Sequence, residues 1–209
     1  VEASLRASNS AIMNEHQRDA RLKHMRATAV ILSIDTQHSE AVWGHIGDSR
    51  LYCFREGRIV EQTRDHSVLQ SMVDAGYLQP SELRTSPNRS KLLAALGNDE
   101  RFNADILPAA FPILPGDVFL LCTDGLWEYV EEEDMERTLG ASISASDWLK
   151  ALESCVLARG HEGQDNIPQL RFGAVIRFSA AISKPACCAK HDETCTSDFT
   201  KRVGQVRTI

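Results

Sequence analysis

The stretch "PGDVFLLCTDGLWEYV" (residues 115–130) decides how the chain folds. Pro115-Gly116-Asp117 is a strong turn signal, because proline presets φ and glycine accepts backbone conformations closed to other residues. Val118 to Cys122 follows as an unbroken apolar run of strand length. A strand with one face in water alternates apolar and polar residues; a run without alternation reads as a strand buried on both faces. Thr123-Asp124-Gly125 closes the run, and residues 131–138 have an acidic, helical composition.

Upstream of this strand the pattern is β-rich. Thr28 to Ile34 is a run of Thr, Ala, Val and Ile and reads as a strand. A polar turn at Asp35-Thr36-Gln37-His38-Ser39 leads into a second strand, Ala41 to Ile46, which stops at Gly47. Apolar Leu51 to Phe54, a turn at Glu56-Gly57 and a return over Arg58 to Gln62 make 51–62 a hairpin. Residues 3–25 contain no glycine or proline and favour helix. Val68, Met72 and Val73 give 67–75 a helical face that stops at Gly76. Pro80-Ser81-Glu82 opens a short helix, and Lys91 to Leu96 makes another short element.

Downstream, Ser146 reads as the N-cap of a helix carrying Leu149, Leu152 and Val156, ending near Gly160. Arg171 to Phe178 reads as a last strand. After Ser179 the periodicity is lost, and 179–209 reads as a disordered tail. Hairpins with long helices between them imply an α+β layered fold.

The chain has 209 residues, 43% hydrophobic and 25% charged, enough for one sizeable core. A formal net charge of −6 argues against a nucleic-acid binder, which carries a basic face. No apolar run approaches the roughly 18 residues of a membrane span, and Val1 to Asp19 has no signal-peptide core. A soluble, cytoplasmic location is the default expectation. Of the six cysteines, Cys53, Cys122 and Cys155 sit in apolar stretches and read as reduced core thiols. Cys187, Cys188, Cys195 and His191 lack the paired short spacings of a zinc site.

Chemistry concentrates in short Asp-bearing segments at the ends of strand-like runs: Gly47-Asp48-Ser49-Arg50, Thr123-Asp124-Gly125-Leu126 and Asp165-Asn166. Arg64-Asp65-His66 follows the hairpin. Taken singly, Asp-Gly and Asp-Asn are ordinary turn dipeptides. Carboxylates at strand ends, however, can converge on one rim of a sheet. Hard oxygen ligands of that kind suit Mg²⁺ or Mn²⁺, and two such ions can serve in-line attack on phosphorus. No G-x-S-x-G or C-x₅-R pattern supports a serine or cysteine nucleophile.

The order of these segments resembles the motif series of bacterial PPM-type, or type 2C, metal-dependent Ser/Thr protein phosphatases. "GHIGDSRLY" (44–52) is similar to the family's G-D-S-R hairpin entry, and "TRDHS" (63–67) to its T-x-D-H-[ST] segment. "DAGYLQPSEL…NRSKLLAALG" (74–97) looks like the bacterial flap running into [RA]-A-L-G. Residues 115–130 resemble the G-D-x-x-L-L-C-[ST]-D-G-L strand and turn, and "GQDNI" (163–167) matches the closing D-N motif.

The resemblance covers roughly residues 8–178. It implies an α+β fold, a PPM-type β-sandwich of two antiparallel sheets flanked by helices, incomplete at the N-terminus. The phosphatase domain would be 1–178, with a flap subdomain over about 67–97. It further implies hydrolysis of phosphoserine and phosphothreonine by metal-activated water. Asp124 and Asp165 would be the catalytic pair of metal ligands for two Mn²⁺ or Mg²⁺ ions, with Asp65 and Glu128 at a third, weaker metal site. Asp48 and Asn166 would orient the ligands from behind. The partner implied is a phosphoprotein substrate of a Ser/Thr protein kinase, met by a monomer that uses neither nucleic acid nor membrane.

The sequence also departs from the family. It holds one Asp-Gly, at Asp124-Gly125, and so lacks a counterpart of the family's bridging Asp, as well as the N-terminal Arg that grips the substrate phosphate. Pro168-Gln169-Leu170-Arg171 intervene before the last apolar run. The alternative expectation is therefore a catalytically impaired phosphatase-like binding module, or a truncated fragment lacking the bridging metal Asp.

Overall fold

A computed structural model gives the arrangement of the chain; it describes residues 1–98 and 102–160 and the strand 174–177. The elements follow the order α1 (Glu2–Arg18), β1 (Ala29–Asp35), β2 (Glu40–Ile46), β3 (Arg50–Arg55), β4 (Arg58–Gln62), α2 (Val68–Asp74) and α3 (Glu82–Thr85). Then come β5 (Asp105–Ile106), β6 (Phe111–Pro112), β7 (Val118–Cys122), α4 (Asp124–Trp127), α5 (Glu132–Ala141), α6 (Ala145–Gly160) and β8 (Ala174–Arg177). One sheet pairs β1 with β2, and β2 with the short β5 and β6; the other runs β4-β3-β7-β8. All pairings are antiparallel.

The two-residue alternation of strands builds the layers. On β3, Leu51 and Cys53 face one way and Tyr52 and Phe54 the other; on β7, Phe119 and Leu121 oppose Val118, Leu120 and Cys122. The first set packs against Val30, Leu32, Ala41 and Trp43 of β1 and β2, forming the core between the sheets. The second packs under α4, α5 and α6 through Trp127, Met135, Trp148 and Leu152. On the outer face of the other sheet, Leu5 of α1 covers Ile46, Ala94 and Leu96. Every residue of β7 is buried, as its unbroken apolar run requires.

Three local readings are corrected. The helix expected over 3–25 stops at Arg18, because Asp19 takes extended backbone (φ −137) and its side chain accepts from Arg21 N, starting a separate 3₁₀ turn at Ala20–Leu22. The cap of α6 is Ser144 rather than Ser146: Ser144 Oγ accepts from Asp147 N at 3.1 Å. Lys91 to Leu96 forms no regular element and is held by the isolated bridges Ala27–Leu96 and Ser67–Leu92.

The segment over 67–97 starts at Ser67, whose Oγ caps α2 by accepting from Gln70 N. It is tied to the α4–α5 region by two arginines. Arg84 donates to Trp127 O and Glu132, both at 2.7 Å, and Arg89 to Glu128 at 2.8 Å. Among the described residues no helix is long and apolar enough to cross a membrane.

Candidate active-site cleft

Two strand ends bring two carboxylates into one cleft. Asp48 lies in the link from β2 to β3, and Asp124 begins α4 directly after β7. Both line a cleft of about 280 Å³, together with Arg26, Thr28, Ser90 and Thr123. β3 and β7 are adjacent, with Arg50 opposite Cys122, so the residues just outside that pair meet at one rim.

The Asp48 turn is held from several sides. Gly47 adopts φ +100, a conformation that L side chains rarely take. Its carbonyl accepts from His66 N at 2.9 Å, and its N–H donates to His66 Nδ1 at 3.3 Å. Asp48 O accepts from Trp127 Nε1 at 2.9 Å. A Cβ on Gly47 would lie 2.6 Å from Thr28 Cβ. Gly47→Ala is therefore expected to lower stability by about 1–3 kcal/mol through strain and clash and to displace Asp48 and Thr28; a thermal melt paired with a Mn²⁺ titration checks both effects.

Two carboxyl groups at the cleft are shifted upward. Burial, then Asp124 and Asp65, push the Asp48 carboxyl up to about 6. Burial also raises Glu128, one turn beyond Asp124, against the lowering effect of Arg89; Asp124 raises it further. Carboxylates crowded together in a partly buried cleft are stabilised by a cation, and an all-oxygen donor set favours a hard divalent one. The residues present therefore fit Mg²⁺ or Mn²⁺, with Asp48 and Asp124 as the donors that face the cleft.

Asp65 stands elsewhere, which reverses the expected order of Asp65 and Asp48. Its two carboxylate oxygens accept from Arg50 Nε and Nη2, each at 2.8 Å, and both side chains are only 3% exposed. Arg50 also donates to Tyr52 Oη and stacks on the Trp127 ring at 3.7 Å. Asp65 is thus held behind the cleft by a guanidinium, while Asp48, expected to orient from behind, lines it. Glu128 is likewise paired, with Arg89. Asp165 and Asn166 lie outside the described residues.

A second group, His45, His66 and Asp105, has ligand-type atoms within 4.8 Å of one another. His45 Nε2 contacts Arg64 O at 2.7 Å, and the two imidazoles stack with centroids 4.5 Å apart and planes 26° apart. Lone pairs in two nearly parallel, stacked planes do not converge on one ion. His66 Nε2 lies 3.1 Å from Asp105 Oδ2 but makes no hydrogen bond among the described residues. Of the three, His66 backs Gly47 and so props the Asp48 turn. Burial pushes the Cys53 and Cys122 thiols up to about 12, which makes them inert core groups.

No protein-family model matches the chain. Its sequence is 32% identical over 167 residues to the serine/threonine protein phosphatase PstP of Mycobacterium tuberculosis, an alignment covering 80% of this chain and 31% of that protein. It is 32% identical over 132 residues to the serine/threonine phosphatase stp of Listeria welshimeri, covering 63% of this chain and 51% of that protein. The chain therefore spans about a third to a half of the length of these relatives.

Its fold matches the crystal structure of the M. tuberculosis phosphatase PstP/Ppp with a TM-score of 0.67 at 30% identity, covering 76% of this chain and 65% of that one. The PstP catalytic domain in complex with two manganese ions matches with a TM-score of 0.63 at 27% identity, covering 83% and 66%. The chain belongs to the PPM-type family of serine/threonine protein phosphatases.

Proposed function

We propose that the protein carrying this chain hydrolyses phosphoserine and phosphothreonine in phosphoproteins, using Mn²⁺ or Mg²⁺ held at the Asp48–Asp124 cleft, with Asp165 as a further ligand. The observation that carries this reading is the convergence of Asp48 and Asp124 on one cleft, with Asp48 raised to about 6 by burial and by its acidic neighbours. The likeness to a phosphatase domain with two bound manganese ions supports the choice of metal. When bound, the ions would supply Lewis-acid stabilisation of phosphoryl charge and lower the pKa of water.

The chain's own residues do the positioning. Gly47, His66 and Trp127 fix the Asp48 turn, and Arg89 holds Glu128 beside Asp124. Residues 67–97 form the flap of a phosphatase domain over 1–178 and contribute Ser90 and Leu92 to the cleft wall. The substrates would be proteins phosphorylated by a Ser/Thr kinase and met in the cytoplasm by a monomer.

The test is hydrolysis of a phosphothreonine peptide by residues 1–209 across a Mn²⁺ series, with Mn²⁺ binding measured in parallel. Turnover that rises with Mn²⁺ and vanishes in EDTA is expected. Strong turnover in excess EDTA would overturn the metal mechanism. Mn²⁺ binding without turnover at any concentration would favour a phosphatase-like binding module instead.

A further inference from the structure

We propose that Arg26 holds the phosphoryl oxygens of the substrate in the Asp48–Asp124 cleft; this rests on the phosphatase reading above and names a phosphate contact within that site. The first observation is one of pairing. Every other arginine whose side chain is described has a carboxylate within ion-pair distance, from Arg6 with Glu2 to Arg159 with Asp134. Arg26 alone has none among the described residues, although it lines the same cleft as Asp48 and Asp124.

The second observation is how Arg26 is held. Its Nη1 donates to Lys23 O at 3.2 Å and to Met25 O at 2.8 Å. Backbone carbonyls are neutral acceptors, so they fix one end of the guanidinium and leave its charge uncompensated. Nε and Nη2 make no hydrogen bond among the described residues, and together they form the edge that can take two oxygens side by side. The backbone beneath is anchored as well. Met25 O is also within 3.0 Å of His16 Nε2, and Ala27 exchanges two backbone hydrogen bonds with Leu96. Arg26 is an exposed side chain on a braced stem.

An arginine and two carboxylates that share a cleft without pairing leave room for matter between them. A divalent ion satisfies the carboxylates, and an anion bound to that ion satisfies the arginine. A phosphate monoester dianion meets both demands: some oxygens turn toward the metal side and others accept the guanidinium fork, whose geometry matches phosphate better than an ammonium does. Thr28 and Ser90 bring hydroxyl groups to the same wall, that of Thr28 lying 2.8 Å from Ser49 Oγ.

The test uses residues 1–209, inorganic phosphate as the probe, and Arg26→Met and Arg26→Lys. Mn²⁺ affinity is measured first by calorimetry, then phosphate affinity of the Mn²⁺-loaded chain, with melting temperature as the control for folding. Arg26→Met should keep the melting temperature and bind Mn²⁺ at least as tightly, because a nearby positive charge is gone. Its phosphate affinity should fall roughly tenfold to a hundredfold, the scale of one or two charge-assisted hydrogen bonds. Arg26→Lys should recover part of the loss, since lysine keeps the charge and loses the fork.

If the unaltered chain binds Mn²⁺ and phosphate and Arg26→Met binds phosphate equally well, the Arg26 assignment fails and the phosphatase reading stands. If the unaltered chain binds no Mn²⁺, the phosphatase reading itself fails. If Arg26→Met weakens only peptides with acidic residues beside the phosphorylated one, and not inorganic phosphate, Arg26 reads the flanking sequence and the present assignment is wrong.

Discussion

Arg50→Met is expected to lower the unfolding free energy by about 3–5 kcal/mol, a large share of the roughly 5–15 kcal/mol that holds a domain together. Arg50 and Asp65 are each 3% exposed and joined by two 2.8 Å hydrogen bonds. Burial works against the guanidinium charge, and the bond to Asp65 with the field around it more than offsets that, so Arg50 stays protonated. Methionine fills similar volume but offers no donor, leaving the Asp65 carboxylate in the interior without its partner. Tyr52 loses a donor, and Trp127 loses the cation on its ring at 3.7 Å. The double variant Arg50→Met, Asp65→Leu should recover most of the loss, since replacing a buried pair by apolar groups is often neutral while halving it is not. Urea unfolding of both variants measures this. A single variant within 1 kcal/mol of the unaltered chain would mean that water already reaches the pair.

That pair also marks where the sequence stops being legible. The layers could be read from residues alone. The unbroken Val118 to Cys122 run demanded cover on both faces, and the 51–62 hairpin lies beside it. β5 and β6 escaped because two-residue strands carry no periodicity, and their pairing depends on β2 far back in the chain. At the site, the motif order placed Asp48 and Asp124 at strand ends. It did not reveal which carboxylate would be neutralised.

Asp65 and Asp48 look alike as residues. What separates them is Arg50, fifteen positions before Asp65, whose guanidinium points into the interior and takes Asp65 rather than Asp48. Trp127 was equally silent in the sequence, an aromatic residue after a turn. Its indole N–H proves to hold the Asp48 carbonyl while its ring carries Arg50. Both facts are three-dimensional pairings without a spacing rule. A signal for Gly47 did exist: glycine directly before an aspartate at a strand end suits a positive φ and a close approach, here to Thr28.

Asp124→Asn should weaken Mn²⁺ binding by more than the roughly 10–100-fold that loss of an outer partner costs a metal site, while leaving the metal-free protein as stable as before or more so. The two effects share one cause. Asp124 raises both Asp48 and Glu128, so in the absence of a cation its charge is a burden on its neighbours. Asparagine removes that charge with almost no change in shape and keeps the Oδ1 acceptor that takes Gly125 N at 2.8 Å, while the backbone bonds that close the first turn of α4, such as Glu128 N to Asp124 O, are untouched. A residue kept for structure would show the opposite pattern, with stability falling when it is neutralised. A residue kept for a ligand is recognised by stability that is unchanged or higher without it. Melting curves with and without Mn²⁺ separate the cases: the unaltered chain should be stabilised by the ion through its preference for the folded state, and the variant should show little of that shift. If Asp124→Asn binds Mn²⁺ as tightly as the unaltered chain, the cation site does not include Asp124, and the carboxylates of the cleft must be assigned to another purpose.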